Sequence, residues 1–262
     1  MRRIVSTTVA LLAALTVVAV GATVSSAATN HFWEVEAKPL AVGKANGKVL
    51  KAKTAPGSKW VLEATVLGLP ESVECENISI TSGLAWNETV NGNTVGFDKG
   101  DVQISGKCKA SVAGCSVPEP IVMPPKAATG ESLLVQEEGG TKKIFDDLLP
   151  EENAASQRIF AEVKLTGGVC PTVIVESSPA LGKQGKNNNE GEAGVLGEVE
   201  EPEVSKVGHN VKFVCPAEPK AAINGGWSKR IIVNTIETSA GAHACLKGEA
   251  TLELGGFAWS TS

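Results

Sequence analysis

Alternation with a period of two dominates this chain. In DVQISGKC, Val102, Ile104 and Cys108 share one face while Asp101, Gln103, Ser105 and Lys107 share the other. WVLEATV sets Trp60, Leu62, Ala64 and Val66 against Glu63 and Thr65, and IFAEVKL sets Ile159, Ala161, Val163 and Leu165 against Glu162 and Lys164. LKGEATLEL opposes Leu246, Ala250, Leu252 and Leu254 to Lys247, Glu249, Thr251 and Glu253. Successive side chains of a strand point to opposite faces of its sheet, so half-buried strands produce this pattern. Further strands are expected around 32–37, 48–53, 73–81, 132–137, 141–147, 172–177, 211–215 and 229–237. Turn signals such as Asn46-Gly47, Pro56-Gly57, Asn91-Gly92, Gly139-Gly140 and Gly167-Gly168 separate them. PEENAASQR, at 150–158, suits either a short helix opened by Pro150 or an acidic loop. The predicted class is all-β: an antiparallel β-sandwich or distorted barrel with long loops, stapled by disulfides.

Two stretches interrupt the alternation. VPEPIVMPPK predicts a stiff Pro-rich connector at 117–126, because each proline removes a ladder donor. The Gly-, Asn- and Glu-rich segment 182–208 has few apolar groups to bury and predicts a long flexible acidic loop.

The chain begins with Arg2 and Arg3, an apolar run from Ile4 to Val24, and the small residues Ser25-Ser26-Ala27-Ala28. This is the layout of a secretory signal peptide over residues 1–28, leaving 29–262 as a β-rich exported domain. The competing reading is a retained apolar anchor; the small-residue exit favours cleavage near Ala27 or Ala28. No second apolar run follows, so no membrane span is expected after cleavage. The formal charge is −5, and the leader carries two arginines and no acid, so the exported part is more acidic still. Without a Lys/Arg cluster, nucleic acid and anionic membrane are not expected partners. Aromatics are few and tyrosine is absent, which argues mildly against an aromatic-lined ligand groove, while five tryptophans remain that could build one.

The six cysteines, Cys75, Cys108, Cys115, Cys170, Cys215 and Cys245, all lie in the exported part. An even number in an oxidising compartment predicts three disulfides. Antiparallel pairing of ECENISI with DVQISGK would bring Cys75 opposite Cys108, which favours the set 75–108, 115–170 and 215–245. One difficulty accompanies that set. Alternation puts Cys245 on the face of Lys247 and Glu249, so it requires either a bulge near Gly248 or a bridge on the sheet's outer side.

Candidate chemistry is sparse. His209, Cys215, His243 and Cys245 offer nitrogen and sulfur suited to zinc, but their spacing matches no familiar zinc module and disulfide pairing competes. Asp98 and Asp101, in DKGD, supply too few oxygens for calcium and read as a solvated turn. Asp146 and Asp147, in KIFDDLL, read as the exposed part of a strand end, and His31 falls where a chain is usually loose after cleavage. No G-x-S-x-G, H-E-x-x-H or S-x-x-K motif is present. Cys108 and Cys115 lack the C-x-x-C spacing of a redox pair. Asn77 and Asn87 match the N-glycosylation sequon. No catalytic, cofactor-binding or metal-ligating residue is therefore assigned, and no cofactor is expected.

SVECENISITSG, DVQISGKCKASVAGCSV, SLLVQEE with KIFDDLL, and IFAEVKLTGGVCPTVIVESSPALGK follow one another in a particular order. Together with HFWEVEAKPLAVGK and CLKGEATLELGGFAW, they resemble a group of secreted, Cys-bridged, β-rich proteins of soil actinobacteria with no assigned activity. The resemblance implies secretion and a β fold and carries over no catalytic residue; 182–208 departs from it as an insertion. The leading expectation is a non-catalytic secreted β domain, extracellular or envelope-associated, binding or structural in role, with an extracellular or cell-envelope partner. A hydrolase assembled only in three dimensions and a disulfide-stapled inhibitor presenting 182–208 stay open as alternatives.

Overall fold

The computed structural model describes residues 31–262 apart from 67, 91, 126–131, 138–142, 149, 152, 155–156, 178–191, 201–204, 215–219, 224–229, 235 and 239–241. The expected signal peptide, 1–28, lies outside the described residues. The chain starts with β1 (Trp33–Val35) and β2 (Lys38–Pro39), then β3 (Lys48–Thr54), β4 (Trp60–Val66) and β5 (Leu69–Cys75). Two long strands, β6 (Asn77–Val90) and β7 (Asn93–Ser105), precede the short β8 (Lys109–Ala110) and β9 (Ile121–Met123). Two hairpins follow, β10 (Ser132–Glu137) with β11 (Ile144–Leu148) and β12 (Ile159–Lys164) with β13 (Thr172–Ser177). The remainder comprises β14 (Glu192–Val199), β15 (Gly208–Phe213), β16 (Lys220–Ile223), β17 (Arg230–Asn234), β18 (Ile236–Thr238), β19 (His243–Leu254) and β20 (Trp259–Thr261). No α-helix occurs among the described residues. The fold is all-β, as the alternation predicts.

The long strand β19 organises the molecule. Its first part, Ala244–Lys247, pairs with β4 in a layer ordered β12-β13-β18-β19-β4-β5-β8. Its second part pairs with β3 on one side and β15 on the other. From there the second layer runs β7-β6-β3-β19-β15-β14-β11-β10 and returns from β10 to β7. The return is narrow: two residue pairs, Ser132↔Asp98 and Leu133↔Phe97, make it. The ladder between β14 and β15 is equally short. The result is a flattened, sandwich-like body, not a regular closed barrel. β1, between β2 and β20, forms a small third sheet that brings Trp33 and Trp259 to one end of this body.

Two apolar clusters fill it. One gathers Trp60, Ile78, Ile104, Met123, Phe160 and Val175 between the layers. The other packs Trp33, Leu50, Leu134, Leu252, Leu254 and Trp259 within the second layer's circuit. Trp33, Trp60, Trp86 and Trp259 are all buried. Burying these large rings is a major favourable term in so aromatic-poor a core, and it leaves none of the four as a surface binding platform.

Two disulfides join Cys75 to Cys108 and Cys115 to Cys170. The antiparallel register of β6 with β7 (Asn77↔Ser105) carries the first two together. Cys245 is also disulfide-bonded; Cys215, its favoured partner, lies outside the described residues. Ala244, Leu246, Ala250, Leu252 and Leu254 are buried without a phase break, so Cys245 and Lys247 face outward and the bridge sits on the sheet's outer side.

Two expectations need correction. Within the loop expected at 182–208, residues 192–199 form β14, which pairs with β11, β15 and β17. Its Val195, Leu196 and Val199 are buried, and at Gly197 a Cβ would stand 2.5 Å from Val211, so the glycine is there for close packing. Glycine and glutamate around a short apolar strand gave it a loop-like composition. The middle of the segment an inhibitor would present is thus a ladder strand. In the connector expected at 117–126, Ile121–Met123 pair with β7 as a short edge strand flanked by prolines, the position where proline is tolerated. Of the two readings open for 150–158, helix or acidic loop, the described residues form no helix.

Candidate functional site

The seam between β10 and β7 holds the most unusual chemistry in the fold. DKGD does not turn. The hairpin turns near Gly92 instead, and the β6–β7 ladder runs through these residues, setting Ala85 opposite Asp98 and Thr81 opposite Asp101. Asp98 is only 4% exposed, whereas Asp101 is on the surface. Its neighbour across the seam is Ser132. On the far side of β10, Leu134 pairs with Asp146 and Leu133 with Asp147. Because β10 and β14 flank β11, Asp146 and Asp147 lie on a central strand, not at an exposed strand end. Asp146 is half-buried as a whole residue with its Oδ1 enclosed, and Asp147 is fully buried, turned to the opposite face by alternation. Both the solvated-turn reading of Asp98 and the strand-end reading of Asp146 and Asp147 are therefore overturned. Linear sequence could not have paired the two acids, since 48 positions separate them and only the seam joins their strands.

The carboxyls of Asp98 and Asp146 hydrogen-bond each other, and the Ser132 hydroxyl donates to Asp98. Burial raises the pKa of Asp98 well above the ordinary carboxyl range; Asp146, and more weakly Asp147, add to this through their charge. Burial pushes Asp146 up to about 7, opposed by the hydrogen bond from Asp98. The two carboxyls thus titrate as one coupled pair, and burial favours the protonated forms. It sits at the polar end of a cavity of about 40 Å³ whose other walls include Trp60, Ile78, Met123, Phe213 and Leu246. That volume accommodates a few water-sized groups and no substrate.

The histidines are dispersed. His209, fully buried on β15, brings Nε2 to 2.7 Å from the Trp259 carbonyl and stacks edge-on against that indole at 4.4 Å. Burial lowers its pKa, which keeps it neutral and donating. His31, expected to be loose, is buried; Gly96 N–H donates to its carbonyl at 2.7 Å, and burial lowers its pKa as well. His243 is exposed at the start of β19, while His209 stands opposite Leu252 near that strand's other end. The four zinc candidates are therefore not brought together: His209 and His243 are separated along β19, Cys245 is bridged, and Cys215 is outside the described residues. Among the described residues, no three His, Cys, Asp or Glu side chains gather as a metal-binding group. Of the two sequons, Asn77 is exposed and Asn87 fully buried.

A larger concavity opens on the first layer. It measures about 430 Å³, and Glu63, Glu71, Ser72, Pro70, His243 and Cys245 are on its wall. Ladder register sets Cys245 beside Glu63 and Glu63 beside Ser72. Its carboxylates are engaged: Glu63 accepts from Lys247 Nζ, and Glu71 accepts from the Ser111 hydroxyl, which itself accepts from the Ser72 N–H at 2.8 Å. Sequence reading missed this groove. Its residues come from three strands, and alternation alone revealed only that Glu63 and Cys245 lie on the polar faces of theirs.

No family model, no curated protein and no solved structure matches this chain.

Proposed function

We propose that this chain is a non-catalytic exported β module, extracellular or envelope-associated, that binds or supports a partner through the open groove around Glu63, Ser72 and His243. One observation carries the reading: chemistry and access are separated. The carboxyls poised for proton exchange are shut inside a cavity too small for a substrate. The groove of ligand size has its carboxylates tied to Lys247 and Ser111 instead of activating a nucleophile. Bridged cysteines fit an oxidising compartment, and the apolar leader with its small-residue exit supplies the export signal. No helix among the described residues is long and apolar enough to cross a membrane.

The hydrolase reading draws on one feature, the presence of Ser72 and His243 on the wall of the same groove. The test assays the purified native chain against chromogenic esters, peptides and glycosides beside Ser72→Ala and His243→Ala. Equal background rates in all three, with leaderless chain recovered from the culture supernatant or envelope fraction, support the module. Turnover that vanishes in His243→Ala while near-UV circular dichroism is unchanged overturns it.

A further inference from the structure

The second layer closes through very little. Two residue pairs join β10 to β7, and Asp98 belongs to one of them. Its hydrogen bond to Asp146 reaches past β10 to β11, so the two carboxyls clamp three strands around Ser132. We propose that Asp98 and Asp146 are a proton-operated latch on this seam: protons on the carboxyl pair hold β10 against β7, and their loss lets the seam part.

The surroundings make the latch sensitive. From β10 the pair faces the Ser132 hydroxyl; from β11 the neighbouring charge is Asp147, another acid. The basic group on the cavity wall is Lys99 of β7, which is exposed. The other strands lining the cavity present apolar side chains: Ala52 from β3, Trp60 from β4, Ile78 and Ile80 from β6, Met123 from β9, and Phe213 from β15. β19 adds Leu246, Ala250 and Leu252. Among the described residues lining the cavity, no buried cation compensates a second negative charge, and two carboxylates side by side in such a wall repel strongly. With both acids protonated the pair is neutral. With one proton it is a charge-assisted O–H···O bond, and with none the contact reverses sign.

The direction follows from linkage. Burial raises both acids above the ordinary value of 3.8, with Asp146 reaching about 7. The closed form therefore binds more protons than the open form, and closure weakens as pH rises from about 4 through 7 and beyond. While one proton is at stake, the opening constant changes about tenfold per pH unit.

Amide hydrogen exchange on the full exported chain, corrected for intrinsic rates, reads this directly at residues 97–98 and 132–134. Between pH 5 and 8 the opening constant of these amides should rise by at least about tenfold relative to the β12–β13 ladder. Asp98→Asn combined with Asp146→Asn should abolish that excess, because the paired amides keep a hydrogen bond without a titrating charge. Either single substitution, which leaves one titrating acid, should lower the excess and provides the test should the double variant fail to fold. A seam in the unsubstituted chain whose relative exchange is independent of pH from 5 to 9 overturns the latch, as does an unchanged slope in the folded variants.

Discussion

Asn87 grips Trp33 at both ends of its backbone: Trp33 N–H donates to Asn87 Oδ1 at 2.8 Å, and Asn87 Nδ2 donates to the Trp33 carbonyl at 2.9 Å. The same Nδ2 donates to the Leu40 carbonyl at 2.8 Å, and the whole side chain is buried. One amide thereby docks β1 and the segment after β2 onto β6. Asn87→Ala leaves buried backbone groups without partners and should cost about 3 kcal/mol, read as a lower urea midpoint at unchanged m-value. In a host that glycosylates sequons, peptide mapping should find Asn77 modified and Asn87 bare.

Gly248 is where β19 passes from pairing with β4 to pairing with β3, at φ 155°. A Cβ there would lie 2.7 Å from the Trp60 ring and 2.9 Å from the Lys59 carbonyl. Gly248→Ala should therefore cost about 2 kcal/mol or more, since neither the ring nor the backbone can yield cheaply. Near-UV circular dichroism should report a displaced Trp60; an unchanged melting temperature and spectrum would refute the close approach.

The Cys75–Cys108 and Cys115–Cys170 bridges close loops with sequence separations of 33 and 55. Chain entropy assigns them about 3.7 and about 4.2 kcal/mol, as upper values before native-state strain. Replacing either pair by alanines should lower stability by a large part of that, with Cys115 and Cys170 the costlier pair. Intact mass of the exported chain, measured with and without reductant, should differ by six hydrogens, corresponding to three bridges.

Two sets of buried groups act in opposite directions on pH. His31 and His209 have pKa values lowered by burial from the ordinary 6.5, so the unfolded chain binds more protons and stability should fall as pH drops below about 6.5. Asp98 and Asp146 bind protons more tightly when folded, so their contribution falls as pH rises through about 7. Melting temperature should pass through a maximum in mildly acidic to neutral buffer. His209→Gln, which preserves a donor to the Trp259 carbonyl, should flatten the acid limb, whereas Asp98→Asn should flatten the other. An acid limb unchanged in His209→Gln would show that His209 does not carry it.

Strand class was legible wherever one face of a strand is wet. Leu246 to Leu254 alternate with Lys247 to Glu253, and β19 buries that set. The facing runs ECENISI and DVQISGK likewise announced the β6–β7 register and with it the Cys75–Cys108 bridge. β14 escaped notice because Gly197 and the flanking glutamates dilute Val195, Leu196 and Val199, and only packing against Val211 and Phe213 explains the glycine. Asp98 and Asp146 escaped for a different reason. An aspartate in a strand is ordinarily solvated, and nothing local to DKGD or KIFDDLL says that both acids will be enclosed together. Alternation is a property of neighbours along the chain, and sequence alone therefore determined the strands with one wet face and the expectation of bridged cysteines. Which strands close on one another depends on contacts between distant segments. Tertiary structure alone decided that two carboxyls should share a proton inside an apolar seam, while Glu63, Ser72 and His243 line an open groove on another layer.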